Sequence, residues 1–306
     1  MNLTTLSLGE LLQGLDEPER SSENDGPGSA FEVWSGLIKN LLQNGSLRSP
    51  RGQETLEMNT PFVSRVDATR PVLRDPVRRL GYRFMCAEAA WILSGDNRLE
   101  TIAPYSKEIA RYSDDGSHFF GAYGPRYLAQ RQYVIDKLKQ DPETRQAIIN
   151  VWQENPPDTK DVPCTLSWQF LLRDDKLNLV ATMRSSDVWL GWPYDIFNQA
   201  MLLGAMCLDL REQKVGEFHP GEISLVAGSQ HLYARNAMRA FIVARQERSK
   251  SPETEPWVFS PLEFNSREHL IEHLWKVARK DTLAVSLNRT FLSELKWSLD
   301  NGLEVS

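Results

Sequence analysis

Cysteine is scarce in this 306-residue sequence. Only Cys86, Cys164 and Cys207 occur, too few and too scattered for a disulfide framework or a structural zinc site. A reducing, cytoplasmic compartment is therefore the expected home. Long apolar runs are also missing: no stretch approaches the roughly 18 residues that a membrane span requires. The segment Met1 to Glu10 lacks the basic-then-apolar order of a signal peptide. Positive charge is not in excess, with 35 Lys and Arg against 41 Asp and Glu, a net charge of −6. Such a balance disfavours direct binding of nucleic acid or of an anionic membrane, since both need a basic surface that displaces counterions. It leaves room for one small phosphorylated ligand held by a few clustered arginines. Hydrophobic residues at 41% and charged residues at 25% are ordinary for a globular protein that buries a sizeable core.

Asp16 to Ala30 is polar and rich in Gly, Pro and Ser, which predicts a loop or mobile segment after a short N-terminal helix. Phe31, Trp34, Leu37, Ile38, Leu41 and Leu42 share one helical stripe, closed by Asn44-Gly45. Further helices are predicted over Pro76–Leu93 and Gln130–Gln140. The period then becomes alternating over Cys164–Leu172 and Lys176–Arg184, two strands about the polar turn Arg173-Asp174-Asp175. Helical patterns follow at Ile196–Leu210 and Gln230–Arg245, around a short strand at Ile223–Ala227. Past the polar run near Lys250, a strand at Trp257–Phe259 leads into helices at Ser266–Lys280 and Leu287–Asn301. These elements predict an α+β fold, a mixed sheet with flanking helices. The predicted divisions are an N-terminal helix and loop (1–30), a catalytic domain (31–249) and C-terminal elements packed on that domain (250–306).

A hairpin turn centred near Asp174 pairs residues whose numbers sum to about 348, which sets Cys164 opposite Arg184. A guanidinium beside a thiol favours the thiolate, the nucleophilic form. The plain alternative is a small buried cysteine. Glu88 lies on an apolar helical stripe with Phe84, Trp91 and Ile92. Burial there would raise its pKa toward neutrality, as acid–base work requires; a stripe-edge glutamate is the alternative. Arg184 and Ser185 offer a fork and a hydroxyl suited to phosphate, or else form a solvated strand end. His231 and Tyr233 share a face if the chain is extended there, so both could donate to a sugar hydroxyl.

Pro163-Cys164, followed by the run from Arg184 to Asp195 (RSSDVWLGWPYD), resembles the signature of the thymidylate synthase family. Other landmarks occur in the expected order: Glu88 with Trp91–Asn97, Gly121–Gly124 carrying Tyr123, Asp141–Arg145, and Gln230–Tyr233. The resemblance covers about Phe31 to Arg235. It implies that Cys164 is the nucleophile, with Glu88 and Tyr123 as catalytic partners. Arg51, Arg184, Ser185 and Arg145 would bind phosphate, Arg48 competing with Arg51, while His231 and Tyr233 would grip the sugar. Asp187, Leu190, Gly191 and Tyr194 would line the folate side. It further implies a homodimer in which Arg145 completes the neighbouring site, a pyrimidine nucleoside monophosphate as substrate, 5,10-methylenetetrahydrofolate as co-substrate, and no metal.

Asp195 stands where the family pattern has asparagine, which reads uracil. A carboxylate accepts from the 4-amino group of cytosine, and its protonated form donates to N3. The resemblance therefore points to the deoxycytidylate hydroxymethylase branch: dCMP to 5-hydroxymethyl-dCMP through a Cys164–C6 adduct. A host-cytoplasmic phage enzyme that modifies DNA precursors would fit. Gln146 replaces a second arginine, Thr165 follows the cysteine in place of histidine, and the 109–115 stretch lacks tryptophan. The tail Gly302–Ser306 lacks a short apolar ending. Rival readings are a dCMP or dUMP methyltransferase, a CMP hydroxymethylase, and a catalytically silent nucleotide-binding homologue. The His269-x-x-Glu-His273 pattern matches a zinc motif, but no third ligand is identifiable and a solvated helix face suits it better. Arg78 and Arg79 read as solvated positions.

Overall fold

Ser29 opens the first helix, α1 (Ala30–Asn44), with a capping box. Its hydroxyl accepts from Glu32 N at 3.3 Å, and the Glu32 carboxylate accepts from Ser29 N at 2.8 Å. The expected stripe faces inward: Trp34, Leu37, Ile38, Leu41 and Leu42 are buried, while Phe31 is only partly covered. The computed structural model describes residues 26–59, 62–245 and 258–280. The expected N-terminal helix, the strand residue Trp257, the helix at Leu287–Asn301 and the tail lie outside the described residues.

After α1 come β1 (Ser46–Arg48), β2 (Thr55–Met58), β3 (Phe62–Asp67), α2 (Tyr82–Leu93), α3 (Leu99–Ile102) and α4 (Tyr123–Gln140). Then follow β4 (Ile148–Asn150), β5 (Thr165–Arg173), β6 (Lys176–Met183), β7 (Ser186–Asp187) and α5 (Trp192–Glu212). The described chain ends with β8 (His219–Ala227), β9 (Gln230–Tyr233), α6 (Ala234–Ala244) and α7 (Arg267–Arg279). Two mixed sheets result, ordered β3-β8-β6-β5-β4 and β1-β2-β9-β7. All pairs are antiparallel except β6 with β8 and β7 with β9. The chain leaves β6 and β8 of one sheet and enters β7 and β9 of the other across Arg184-Ser185 and Gly228-Ser229. The crossing is tied by Gly228 N to Met183 O and by Ser186 N to Ser229 O.

α5 is buried around its whole circumference, with sixteen of its 21 residues buried. A helix apolar on every side belongs at a core's centre, and this one contacts both β6 and β8. α7 closes over α2: Arg83 Nε donates to Ala278 O and Arg267 Nη1 to Leu93 O, both at 2.8 Å. α4 approaches α2 so closely that a Cβ at Gly124 would lie 2.9 Å from Ile92 O.

Several expected boundaries shift for identifiable reasons. The helix expected from Pro76 begins at Tyr82, because Asp75 Oδ1 accepts from the amides of Val77 and Arg78 and folds Pro76–Arg79 into a turn. Arg79, at φ 46°, interrupts any helical run. α4 starts seven residues before the expected Gln130, since Pro125 is tolerated in a first turn, where its missing N–H has no partner to lose. Gln230–Tyr233, expected to be helical, is strand β9 because β2 and β7 take up its backbone groups. Val258–Phe259 is not a strand; Phe259 N bonds Thr69 O at 2.7 Å and its ring packs at Gly204.

The β5–β6 turn holds Asp174 and Asp175 at φ 50° and 62°, the positive values that a two-residue hairpin turn demands. The double substitution Asp174→Asn with Asp175→Gly should therefore raise unfolding free energy by about 1 kcal/mol. Denaturant melts of the two proteins would check this, an unchanged midpoint counting against strain at the turn.

Candidate active site

The hairpin delivers Cys164 to Arg184 by a route the sequence did not disclose. From Arg173↔Lys176 to Ser167↔Thr182 the paired numbers sum to 349, which would set Cys164 against Ser185. A β-bulge between Thr165 and Ser167 then shifts the register, so that Thr165 pairs with Met183 and Arg184 N donates to Cys164 O at 2.8 Å. Beside the bulge, Leu166 O accepts from both Val151 N and Trp152 N. The Arg184 guanidinium is held by Pro163 O (2.9 Å) and Val162 O (3.0 Å), and its Nη2 lies 3.6 Å from Cys164 Sγ.

The thiolate expected from that pairing is not the resting form. Burial pushes the Cys164 thiol above its ordinary value; Arg184 opposes this, Asp195 and Asp161 add to it, and Arg51 contributes a smaller opposing charge. Cys164 is the partly accessible cysteine, whereas Cys86 and Cys207 are buried. Iodoacetamide should thus label Cys164 selectively but more slowly than a free thiol at pH 8. Arg184→Gln should slow labelling by about a further tenfold. Equal rates would mean that Arg184 does not act on the sulfur.

Two carboxyls lie close enough to act on each other, and one of them, Asp195, also acts on Cys164. Glu88, on α2, accepts a 2.7 Å hydrogen bond from Asn198 Nδ2 of α5. Asp195, one turn earlier on α5, accepts no side-chain hydrogen bond among the described residues. Both keep some exposed surface, yet the surrounding protein strips enough water to dominate their titration. Burial, offset by Asn198, raises Glu88 to about 7. Burial and then the charges of Glu88 and Asp187 raise Asp195 to about 8. Asp195 is thus a neutral acid at pH 7. Tyr123, the first residue of α4, is pushed far up by burial and by the neighbouring Cys164 and Asp195; its hydroxyl accepts from Thr165 N at 3.3 Å. Trp168 meets its ring edge-on at 5.7 Å.

The sheet crossing brings up the remaining polar groups. Asp187 pairs with His231, and Ser185 Oγ lies 3.4 Å from His231 Nδ1. Burial lowers the His231 pKa, which favours the neutral ring. Tyr233 packs edge-on against it at 5.3 Å. Arg51 occupies a left-handed position at φ 53°, and its charge reaches Cys164 and His231. Arg48 is exposed and donates to the carbonyl of its neighbour Leu47.

Asp187 Oδ1 accepts from Trp189 N and Leu190 N at 2.8 and 2.9 Å, which fixes the turn leading into α5. Gly191 caps that helix; a Cβ there would lie 3.4 Å from Asp195 Oδ2. Leu190 is 40% exposed. Tyr194 accepts from Gly81 N at 3.0 Å and packs edge-on against Phe84. An exposed leucine, a fixed aromatic ring and a carboxylate suit a flat heterocycle with polar edges. Below this turn, Trp34 Nε1 donates to Val188 O at 2.7 Å.

Two contributors are missed by reasoning from sequence. Asn198 carries a signal, its place one helical turn after Asp195. Arg78, expected to be solvated, is buried, with Nε donating to Trp189 O at 2.6 Å and its guanidinium over the Trp189 and Tyr194 rings. Nothing in its local sequence signals that contact. Arg145 is not brought to the cluster within one chain: it is exposed before β4, and its carbonyl accepts from Gln169. His269 and His273 stack edge-on at 4.2 Å, with His269 Nδ1 bonded to Asn265 N. Among the described residues no group of three His, Cys, Asp or Glu side chains could hold a metal. A cavity of about 570 Å³ lined by Phe119, Phe120, Arg126 and Trp152 shares no lining residue with this cluster.

A cysteine at a strand end beside an arginine, together with two partly buried carboxyls of raised pKa, is an arrangement suited to nucleophilic and acid–base chemistry. The chain belongs to the thymidylate synthase family, whose model, described as thymidylate synthase, matches residues 32–256. The chain is 28% identical over 224 residues to a deoxyuridylate hydroxymethyltransferase of Bacillus phage SP01, a match covering 66% of this chain and 56% of that protein. It therefore spans little more than half of that relative's length. It is 26% identical over 244 residues to a thymidylate synthase of Enterobacteria phage T4, covering 71% of this chain and 82% of that one. Among the described residues no helix is long and apolar enough to cross a membrane.

Proposed function

We propose that this protein hydroxymethylates C5 of dCMP, using 5,10-methylenetetrahydrofolate, through a covalent bond between Cys164 and C6 of the ring. Asp195 carries the reading. As a neutral acid it donates to N3 of cytosine while its carbonyl oxygen accepts from the 4-amino group. Passing that proton to N3 drains electrons from C6, where the thiolate then adds. C5 becomes enamine-like and forms a bond to the one-carbon unit that the folate supplies when bound. Loss of the C5 proton, with Tyr123 and Glu88 managing it through water, and cleavage of the bond between the one-carbon unit and the folate nitrogen would release tetrahydrofolate and leave an exocyclic methylene. Hydroxide from water adds to that carbon, the S–C6 bond breaks, and the ring regains its double bond. Arg51, Arg184, Ser185 and Arg145 of a second copy hold the phosphate in a homodimer, His231 and Tyr233 hold the sugar, and Asp187, Leu190, Gly191 and Tyr194 line the folate side. Residues 31–249 form the catalytic domain, on which α7 packs.

The same chemistry on dUMP is the second reading, favoured by the name of the SP01 relative and by the neutral acid, which could donate to O4 and accept from N3–H. Incubation with methylenetetrahydrofolate and dCMP, CMP or dUMP, followed by product mass, decides between them. A gain of CH2O on dCMP is expected. Turnover of dUMP alone would sink the cytosine assignment, and a gain of CH2 would mark methyl transfer.

A further inference from the structure

Two partly buried carboxyls act on each other in the site, and the chemistry proposed above gives them opposite tasks. Asp195 must hold a proton for the ring, and Glu88 must be free to take one. Neighbouring carboxyls in a dry site seldom ionise together, so something must decide which of them keeps the proton. Asn198 is the group placed to decide. It follows Asp195 by one turn of α5, so the two side chains leave the helix on the same face. Its amide N–H donates to Glu88 Oε2 at 2.7 Å, a bond worth more to an ionised carboxylate than to a neutral acid. Asp195 receives no such donor among the described residues. Asn198 Oδ1 is buried without a hydrogen-bond partner, so this amide is satisfied on the Glu88 side alone. An unpaired buried carbonyl is costly, which argues against an ordinary packing role.

We propose that Asn198 is a positioning residue that assigns the proton of the Glu88–Asp195 pair to Asp195, leaving Glu88 as the base with Oε2 fixed and Oε1 free to exchange. The charged and titratable surroundings are consistent with this. From α5, Asp195 and Asn198 face Glu88, and Asp187 of β7 acts on Asp195 from behind. From α4, Tyr123 lies toward Asp195 and Cys164. From α7, Arg267 donates to Leu93 O and pairs with Asp209 and Glu268, so it compensates charge elsewhere. Burial raises both carboxyls; the Asn198 hydrogen bond works against that rise at Glu88, while the charges of Glu88 and Asp187 add to it at Asp195.

The test titrates both carboxyls by carbon-13 NMR in protein labelled at Asp and Glu side-chain carboxyls, assigned with Glu88→Gln and Asp195→Asn. Asn198→Leu, close in size but without a donor, is compared with the parent, and Asn198→Ala serves if the leucine is not accommodated. In the parent Glu88 should ionise at lower pH than Asp195. In the variant its midpoint should move up by about one pH unit and the order should merge or reverse. Unchanged midpoints in a folded variant would overturn the proposal. The inference rests on the functional reading above, but its failure is distinguishable. No product from dCMP or dUMP alongside a moved Glu88 midpoint would refute that reading and uphold the Asn198 assignment. Normal product with unmoved midpoints would do the reverse.

Discussion

Asp195→Asn should lower kcat on dCMP by about 10²–10⁴-fold, with a smaller change in KM, and turn the preference toward dUMP. An amide has the shape and both hydrogen-bonding functions of a neutral carboxylic acid, so it still fits against the base. It cannot hand over a proton, however, and cytosine, unlike uracil, needs N3 protonated before C6 becomes a good electrophile. Removing a general acid costs about that range in rate. The pH dependence carries the same signature. Asp195, raised to about 8, must be neutral for turnover, so dCMP turnover by the parent should fall at strongly alkaline pH, and that limb should vanish in the variant. The variant should also be at least as stable as the parent near pH 8. A carboxyl whose folded pKa is raised loses stability as pH climbs from its unfolded to its folded value, and the amide removes that loss. An unchanged kcat on dCMP, measured with product mass as the readout, would end the assignment of Asp195 as the acid.

Much of this site is legible in the sequence because its parts lie close along the chain. Asp187 to Asp195 is a single turn and helix start, and the β5–β6 hairpin links Cys164 to Arg184 through local pairing. The bulge that makes the pairing work leaves no mark in the local pattern; at it, Leu166 O takes bonds from Val151 N and Trp152 N, just past β4. Strands β1, β2 and β9 run for only three or four residues each, and the local pattern over β9 is helical. Their backbone bonds come from partners far away in sequence, so tertiary pairing overrides a weak local preference. The direction of the Cys164 titration is likewise hidden. The neighbouring arginine is visible, whereas the burial that outweighs it, and the acids Asp195 and Asp161, require the fold. Arg78 illustrates the same limit, since a charged residue in a Pro-Val-Arg-Arg turn looks solvated until Trp189 and Tyr194 are laid against it.

Cys164→Ala should reduce turnover by at least about 10⁴-fold while leaving dCMP binding within a few-fold of the parent. The expectation divides the site into two sets of groups. Phosphate, sugar and base are assigned to Arg51, Arg184, Ser185, His231, Tyr233 and Asp195, none of which depends on the sulfur for its place. Arg184 keeps its bonds to Pro163 O and Val162 O when Sγ is removed. The covalent step has no substitute, because Cys86 and Cys207 are buried in the core. Because burial holds the thiol protonated at rest, capture of the ring is a two-proton event: Sγ must lose one and N3 must gain one. Adduct formation needs Sγ ionised and Asp195 neutral at once, so its pH dependence should be a bell, low at both acidic and strongly alkaline pH. With 5-fluoro-dCMP and methylenetetrahydrofolate, the fluorine at C5 cannot leave as a proton does, so the parent should be trapped as a stable species bearing nucleotide and folate by mass. Cys164→Ala should show no such species at any pH. A trapped complex in the alanine variant, or residual turnover above about one per cent, would require another nucleophile and would refute the covalent mechanism.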